Sequence, residues 1–368
     1  MSSIVRQWVS ATSATSSVAG HGSNPCQGIY HRAEGTSPTV ACIATHYSID
    51  FGEHYLASYL AERGIGFLGW NTRYRGADAF FLLEQALVDI GEGVRWLRDE
   101  AGVDTVVLLG NSGGGSLMGA YQSQATDPNI SAARDLRLPD AVLDLPAADL
   151  YVSLNAHPGR PDVLTSWIDA AVVDESDPLS VDPELDLFAE GRPLPLDLAY
   201  VERYRAAQEA RNHRITEWAI DELSRLSAAG TWDRVFNVHR TWADPRFVDV
   251  TIDASDRSAG CYGGDAARAN RTPFGIASTC TLRSWLSMWS LRESQCVGAP
   301  HLGRIDVPAL VVQSTADKGV FPSDAHAIHD ALAADDKTLE FLPGEHYFET
   351  GGRDEAADLI AAWISARA

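Results

Sequence analysis

The chain has 368 residues, 45% of them hydrophobic and 21% charged, with a formal net charge of −21. That length suits one large α/β domain with an insertion, or two modest domains, with ample material for a buried core. The acidic balance opposes nucleic acid and anionic membranes, which both need a cationic footprint, and no apolar run reaches the roughly 18 residues of a membrane span.

Residues 1–36 are read as an N-terminal arm and first strand region. The stretch MSSIVRQWVSATSATSSVAGHGSN is rich in Ser, Thr and Ala, and Arg6 and Gln7 interrupt its only apolar patch. It fits a secretory leader poorly and is expected to be a loose arm. PTVACIAT at 38–45 has the continuous apolar character of a buried strand. Tyr55, Leu56, Tyr59 and Leu60 then recur at helical spacing, with Gly64 as a stop. A second strand follows over 64–70. Leu83, Leu87, Ile90, Val94 and Leu97 step by four and three, as an amphipathic helix does. VDTVVLLG at 103–110 is the third strand, a helix runs from Ser112 to about 125, and 148–154 is a fourth strand. This alternation implies parallel strands with right-handed crossovers.

The rhythm stops over 176–303, where Pro/Asp-rich loops lead into a long helical pattern. There Val201, Tyr204, Ile215, Trp218, Leu223 and Leu226 can share a face. It resumes with VPALVVQSTAD from 307, a helix over 323–334, the strand TLEFL at 338–342 and a final helix. The expected organisation is an α/β core of mostly parallel strands with helices on both faces, built from 37–175 and 304–368, with a largely helical insertion at 176–303. The five cysteines are odd in number and lack C-x-x-C spacing, which points to free thiols in a cytoplasmic setting and argues against a zinc site.

Gly110-Asn111-Ser112-Gly113-Gly114 fits G-x-S-x-G between a predicted strand and a predicted helix. A phosphate loop would need G-x-x-x-x-G-K-[ST], and a dinucleotide fingerprint would open the first strand–helix unit; neither fits. A nucleophilic serine needs small neighbours for its strained turn, a base, and an acid to orient the base. Functional groups in a parallel sheet collect at the carboxyl ends of strands. Asp317 ends VPALVVQSTAD and His346 follows TLEFL. Asp317 also fits as a cap of the next helix, and Asp174 or Glu175 is the alternative acid. His326 and His329 read as surface residues of a helix, while His157 follows the 148–154 strand and is a pocket candidate.

With Ser, Asp and His in this order, the sequence resembles the α/β-hydrolase family over nearly everything from 38 to 368 except the insertion. The resemblance implies Ser112 as nucleophile, His346 as general base, Asp317 as orienting acid, and a cap domain at 176–303. It also implies an oxyanion hole using the Gly113 N–H and a donor from the loop after Thr45. Where the family often has His-Gly, this chain has His46-Tyr47-Ser48, so the second donor is assigned to Tyr47, by backbone or phenol, with the Ser48 N–H and a pocket-wall role for Tyr47 as alternatives. His46 fits a structural role in its loop. WNTRYRG resembles the family's D-x-R-G segment with Asn71 for the acid; Arg73 and Arg75 are expected to pair with carboxylates in a turn rather than bind an anionic substrate.

The expected activity is hydrolysis of a carboxylic ester carrying a bulky apolar or aromatic group, through an acyl-enzyme and without cofactor or metal. Thioester, amide or C–C cleavage and acyl transfer share the same machinery, and a non-catalytic ligand-binding protein is the alternative of another class. Besides His46 and His157, Trp218, Trp285 and Trp289 are candidates for the pocket, with the core of the insertion as the competing place for each tryptophan. The partner is a small-molecule ester; the arm and cap are candidate surfaces for a homodimer.

Overall fold

In the computed structural model, which describes residues 3–15 and 24–368, ten segments are extended. They are β1 (Ile4–Ala11), β2 (Cys26–Ala33), β3 (Val40–Ala44), β4 (Gly66–Asn71), β5 (Thr105–Asn111), β6 (Leu150–Leu154), β7 (Val235–Asn237), β8 (Thr279–Thr281), β9 (Ala309–Ser314) and β10 (Lys337–Leu342). Eight form one sheet in the order β1-β2-β4-β3-β5-β6-β9-β10, and β7 pairs with β8. The six strands from β4 to β10 in that order run parallel, while β1 and β2 add to the edge antiparallel.

The interior strands read as near-continuous apolar runs because both faces are covered. Along β5, Val106 and Leu108 face one core and Val107 and Leu109 the other. The first core is closed by α2 (Leu83–Asp99) and α3 (Gly114–Thr126), the second by α1 (Ala57–Glu62) and the C-terminal helix Arg353–Ser365. Parallel strands share one carboxyl edge, so the ends of β3, β5, β6, β9 and β10 deliver their loops to the same place.

The expected loose arm is corrected over its first residues: Ile4–Ala11 is an edge strand in register with Cys26–Ala33. Trp8 of this strand is 59% exposed, so burial alternates too weakly to announce a strand. The remainder of the arm at 1–2 and 16–23 lies outside the described residues.

Between β6 and β9 the chain carries α4 (Arg160–Trp167), the long α5 (Leu198–Ala228), the β7–β8 pair and several short helical turns. Asp197 caps α5 by accepting from the Tyr200 N–H at 3.2 Å. Tyr204, Ile215 and Leu223 of its predicted face are buried, but Trp218 is 40% exposed. No helix among the described residues is long and apolar enough to cross a membrane.

Candidate active site

Ser112 lies where β5 turns into α3, with φ of +57°. A non-glycine residue adopts this left-handed conformation only when its surroundings hold it there. Its N–H donates to the carbonyls of Leu154 and Asn155, both at 3.1 Å, and its own carbonyl accepts from the N–H groups of His157 and Gly115 at 3.1 and 3.2 Å. The glycines give clearance. A Cβ on Gly110 would lie 2.6 Å from the Gly115 Cα, and one on Gly114 only 2.3 Å from the Thr45 carbonyl oxygen. Asn111 turns into the fold: its Nδ2 donates to the Leu154 carbonyl at 2.8 Å and its Oδ1 meets His54 Nε2 at 3.1 Å.

His346 Nδ1 is 2.6 Å from Asp317 Oδ2. Oδ1 of the same carboxylate accepts the N–H groups of Gly319 and Val320 at 2.8 and 3.0 Å and the hydroxyl of Tyr262 at 2.8 Å. A carboxylate ringed by donors is an acceptor only, so the imidazole proton belongs on Nδ1 and the lone pair on Nε2. That Nε2 is enclosed and makes no hydrogen bond among the described residues. Asn155 ties the pieces together: its carbonyl holds Ser112 N–H at 3.1 Å, its Nδ2 donates to the His346 carbonyl at 2.8 Å, and its Oδ1 accepts the Ser314 N–H at 2.6 Å. The Ser112 hydroxyl makes no hydrogen bond to His346 among the described residues; contacts of this kind commonly tighten only in the reacting complex.

Tyr262 comes from the insertion, and sequence reasoning misses it. Its hydroxyl also lies 2.8 Å from His346 Nδ1. Burial of that hydroxyl beside Asp317 pushes its pKa well above the usual phenol value, so it stays a donor, although the residue as a whole is 39% exposed.

On the other side of Ser112, His46 Nδ1 accepts the N–H groups of Ser48 and Ile49, both at 3.2 Å. Burial, reinforced by Arg160, holds the His46 pKa well below its ordinary value. The ring is therefore neutral with its proton on Nε2, which faces Gly113. A Cβ on Gly113 would come within 2.8 Å of both His46 Nε2 and Arg160 Nη1. The Tyr47 hydroxyl lies 3.1 Å from Ser116 Oγ, and its ring packs between Phe81 and the Arg160 guanidinium.

Of the pocket candidates, the structure brings His46, His157 and Trp289 near this centre. The His157 ring lies 6.5 Å from that of His346, and Trp289 stacks on Arg160 at 4.4 Å. Trp285 is instead core of the insertion, its Nε1 donating to Thr216 Oγ1 at 3.0 Å. Trp218 borders a cavity of about 770 Å³ with Arg214 and His239, away from Ser112. Ser112 is not among the lining residues of a second cavity either, of about 370 Å³ around Arg283 and Gln295, so volume alone does not locate this chemistry.

Asp174 binds its own turn through Ser176, and Glu175 pairs with Arg211 and Arg214, so neither approaches His346. His329 lies beside Asp330 on the helix Pro322–Ala331. Arg73 is buried against Asp89, and Arg75 pairs with Asp50 at the surface. The five cysteines are buried and free. No cluster of His, Cys, Asp or Glu among the described residues is arranged to hold a metal ion.

No family model and no curated protein matches the chain. Solved structures match along its length. The α/β hydrolase GrgF from Penicillium sp. sh18 is 13% identical, with TM-score 0.54 and 99% of each chain covered. DcsB, solved in complex with its substrate analogue, is 12% identical with TM-score 0.53 and 99% of each chain covered. Est1E from Butyrivibrio proteoclasticus is 10% identical with TM-score 0.50, covering 93% of this chain and 94% of the other.

Proposed function

We propose that this chain, which has the α/β-hydrolase fold, is a serine hydrolase that cleaves a carboxylic ester through an acyl-enzyme. The observation that carries the reading is Ser112 held at φ +57° on the edge where His346 and Asp317 meet at 2.6 Å. Ser112 Oγ attacks the ester carbonyl and His346 Nε2 takes its proton. Asp317 fixes the imidazole tautomer and balances the imidazolium that forms. The tetrahedral oxyanion is held by the N–H of Gly113 and the main-chain N–H of Tyr47, since the Tyr47 phenol is engaged with Ser116. His346 then protonates the leaving alcohol, and water releases the acyl group by the same route.

The chain between β6 and β9 acts as a cap. Ser112 is 5% exposed and His346 3%, and Tyr262 reaches from this segment onto both His346 and Asp317. Exclusion of water strengthens each electrostatic contact inside. His157, Trp167 and Tyr262 form an aromatic wall, with ring centroids of 5.5 and 5.9 Å between successive pairs, which favours a bulky apolar or aromatic group on the substrate. The test is hydrolysis of short and aromatic p-nitrophenyl esters by wild type and Ser112→Ala. Activity abolished by the substitution is expected; equal rates would sink the assignment.

A further inference from the structure

Buried arginines in this protein come with oxygen partners. Arg73 has Asp89, Arg211 has Glu175, and Arg246 has Asp244. Arg257, which lacks an ion pair, spends its guanidinium on the carbonyls of Asp253 and Ile252. The reason is general: a buried charge without a partner is costly.

Arg160 breaks this pattern. It is 4% exposed, and its Nε is enclosed without a hydrogen-bond partner, as are those of Arg257 and Arg283. The other nitrogens of those two donate to carbonyls, whereas no guanidinium nitrogen of Arg160 donates to an acceptor among the described residues. No carboxylate lies within 4.0 Å of it among the described residues, and Asp78 acts on it only at longer range. What it has instead are two aromatic faces, Tyr47 at 5.1 Å and Trp289 at 4.4 Å. These hold a guanidinium plane in place but supply no acceptor. Its Nη1 points at Gly113, the residue after Ser112, beside the neutral His46 Nε2–H. The polar nitrogens of Arg160 and His46 therefore converge on one small space next to the proposed nucleophile, and both are donors.

We infer that Arg160, assisted by His46, seats an anionic group of the substrate. The preferred ester carries a carboxylate within a few bonds of its reacting carbonyl. The inference rests on the hydrolase reading for the word ester, but the anion seat stands on the geometry of Arg160 alone. A carboxylate matches the planar fork of a guanidinium and completes its missing hydrogen bonds. The ester carbonyl then falls at Ser112 because the seat adjoins Gly113. This makes Arg160 a determinant of specificity, distinct from a general oxyanion donor, which would serve all esters equally.

The experiment compares kcat/KM for monoethyl succinate, with its carboxylate on the acyl side, and O-butyrylglycolate, with its carboxylate on the alcohol side, against neutral ethyl butyrate. Wild type is expected to favour at least one of the anionic esters by about 30-fold or more, the lower end of what losing one partner of a buried charge pair costs. Arg160→Met should reduce that ratio by a similar factor, and Arg160→Lys should retain part of it. The wild-type comparison needs no variant, so it decides even if a substitution prevents folding. No preference in wild type, or a loss in Arg160→Met that falls equally on neutral and anionic esters, overturns the inference. If no ester is turned over at all, calorimetry of monoethyl succinate binding decides separately. Binding by wild type that is lost in folded Arg160→Met upholds the anion seat while the hydrolase reading falls, and absence of binding to wild type removes it.

Discussion

Replacing Asp317 by Asn probes the proposed division of labour between the two imidazole nitrogens. Asp317 Oδ1 faces three donors, the N–H groups of Gly319 and Val320 and the Tyr262 hydroxyl, at 2.8, 3.0 and 2.8 Å, while Oδ2 faces only His346 Nδ1 at 2.6 Å. An Asn side chain must leave its oxygen where the three donors are, because turning its NH2 toward them strands several buried polar groups at about 1–3 kcal/mol each. The NH2 then points at Nδ1 and demands a lone pair there. The imidazole answers by moving its proton to Nε2, where it can no longer accept one from Ser112. A wrong tautomer in such a site costs on the order of 10⁴-fold in kcat, which corresponds to about 5 kcal/mol of barrier. Steady-state hydrolysis of p-nitrophenyl acetate, with circular dichroism to confirm the fold, is the assay. An Asn variant that keeps a tenth or more of wild-type kcat would refute the tautomer argument.

Three further outcomes follow from the structure. Tyr262→Phe removes one of three donors on Oδ1, so kcat should fall only about 3- to 20-fold, as expected for one charge-assisted hydrogen bond with neighbours that remain, and KM for a small ester should hold; a fall beyond 1,000-fold would mean Tyr262 does more than position the pair. Gly114→Ala drives a methyl against the Thr45 carbonyl, 2.3 Å from the new Cβ, and should cost about 3 kcal/mol in urea unfolding; a loss under about 0.5 kcal/mol would contradict the packing described. Burial pushes the Asp324 carboxyl up to about 6, despite Arg246 nearby. A raised folded pKa means its contribution is greatest below the unfolded value near 4 and is lost as pH rises towards 6, by on the order of 2 kcal/mol. Asp324→Asn should therefore flatten wild-type stability between about pH 4 and 6, and an unchanged pH profile would reject that environment.

Much of the core was legible because parallel interior strands and amphipathic helices carry strong periodic signals. β3 is apolar throughout, β5 and β9 carry the apolar runs Val106–Leu109 and Ala309–Val312, and Leu83 to Leu97 repeats at helical spacing. Ser112, Asp317 and His346 are each found by a local rule, a glycine-flanked turn or a polar residue just past a strand. The edge strands β1 and β2 escape that logic: pairing rather than burial defines β1, and Trp8 faces outward. In the insertion, period identifies α5 but not which side of the segment meets Ser112, so Trp218 ends on a remote cavity and Trp289 on Arg160. Tyr262 has no motif, and only tertiary contact brings it to Asp317. Arg160 did have a signal, since it opens the helix just after β6; the rule that chemistry gathers behind strand ends applies to arginine as well as to Asp and His.

The central claim is that Ser112 is a nucleophile activated by His346. It is tested most directly by treating the folded protein with a fluorophosphonate and locating the adduct by peptide mass spectrometry. The account predicts one adduct, on Ser112, absent in Ser112→Ala and formed far more slowly in His346→Ala. Folded wild-type protein that stays unlabelled, or that is labelled at another residue, would contradict it.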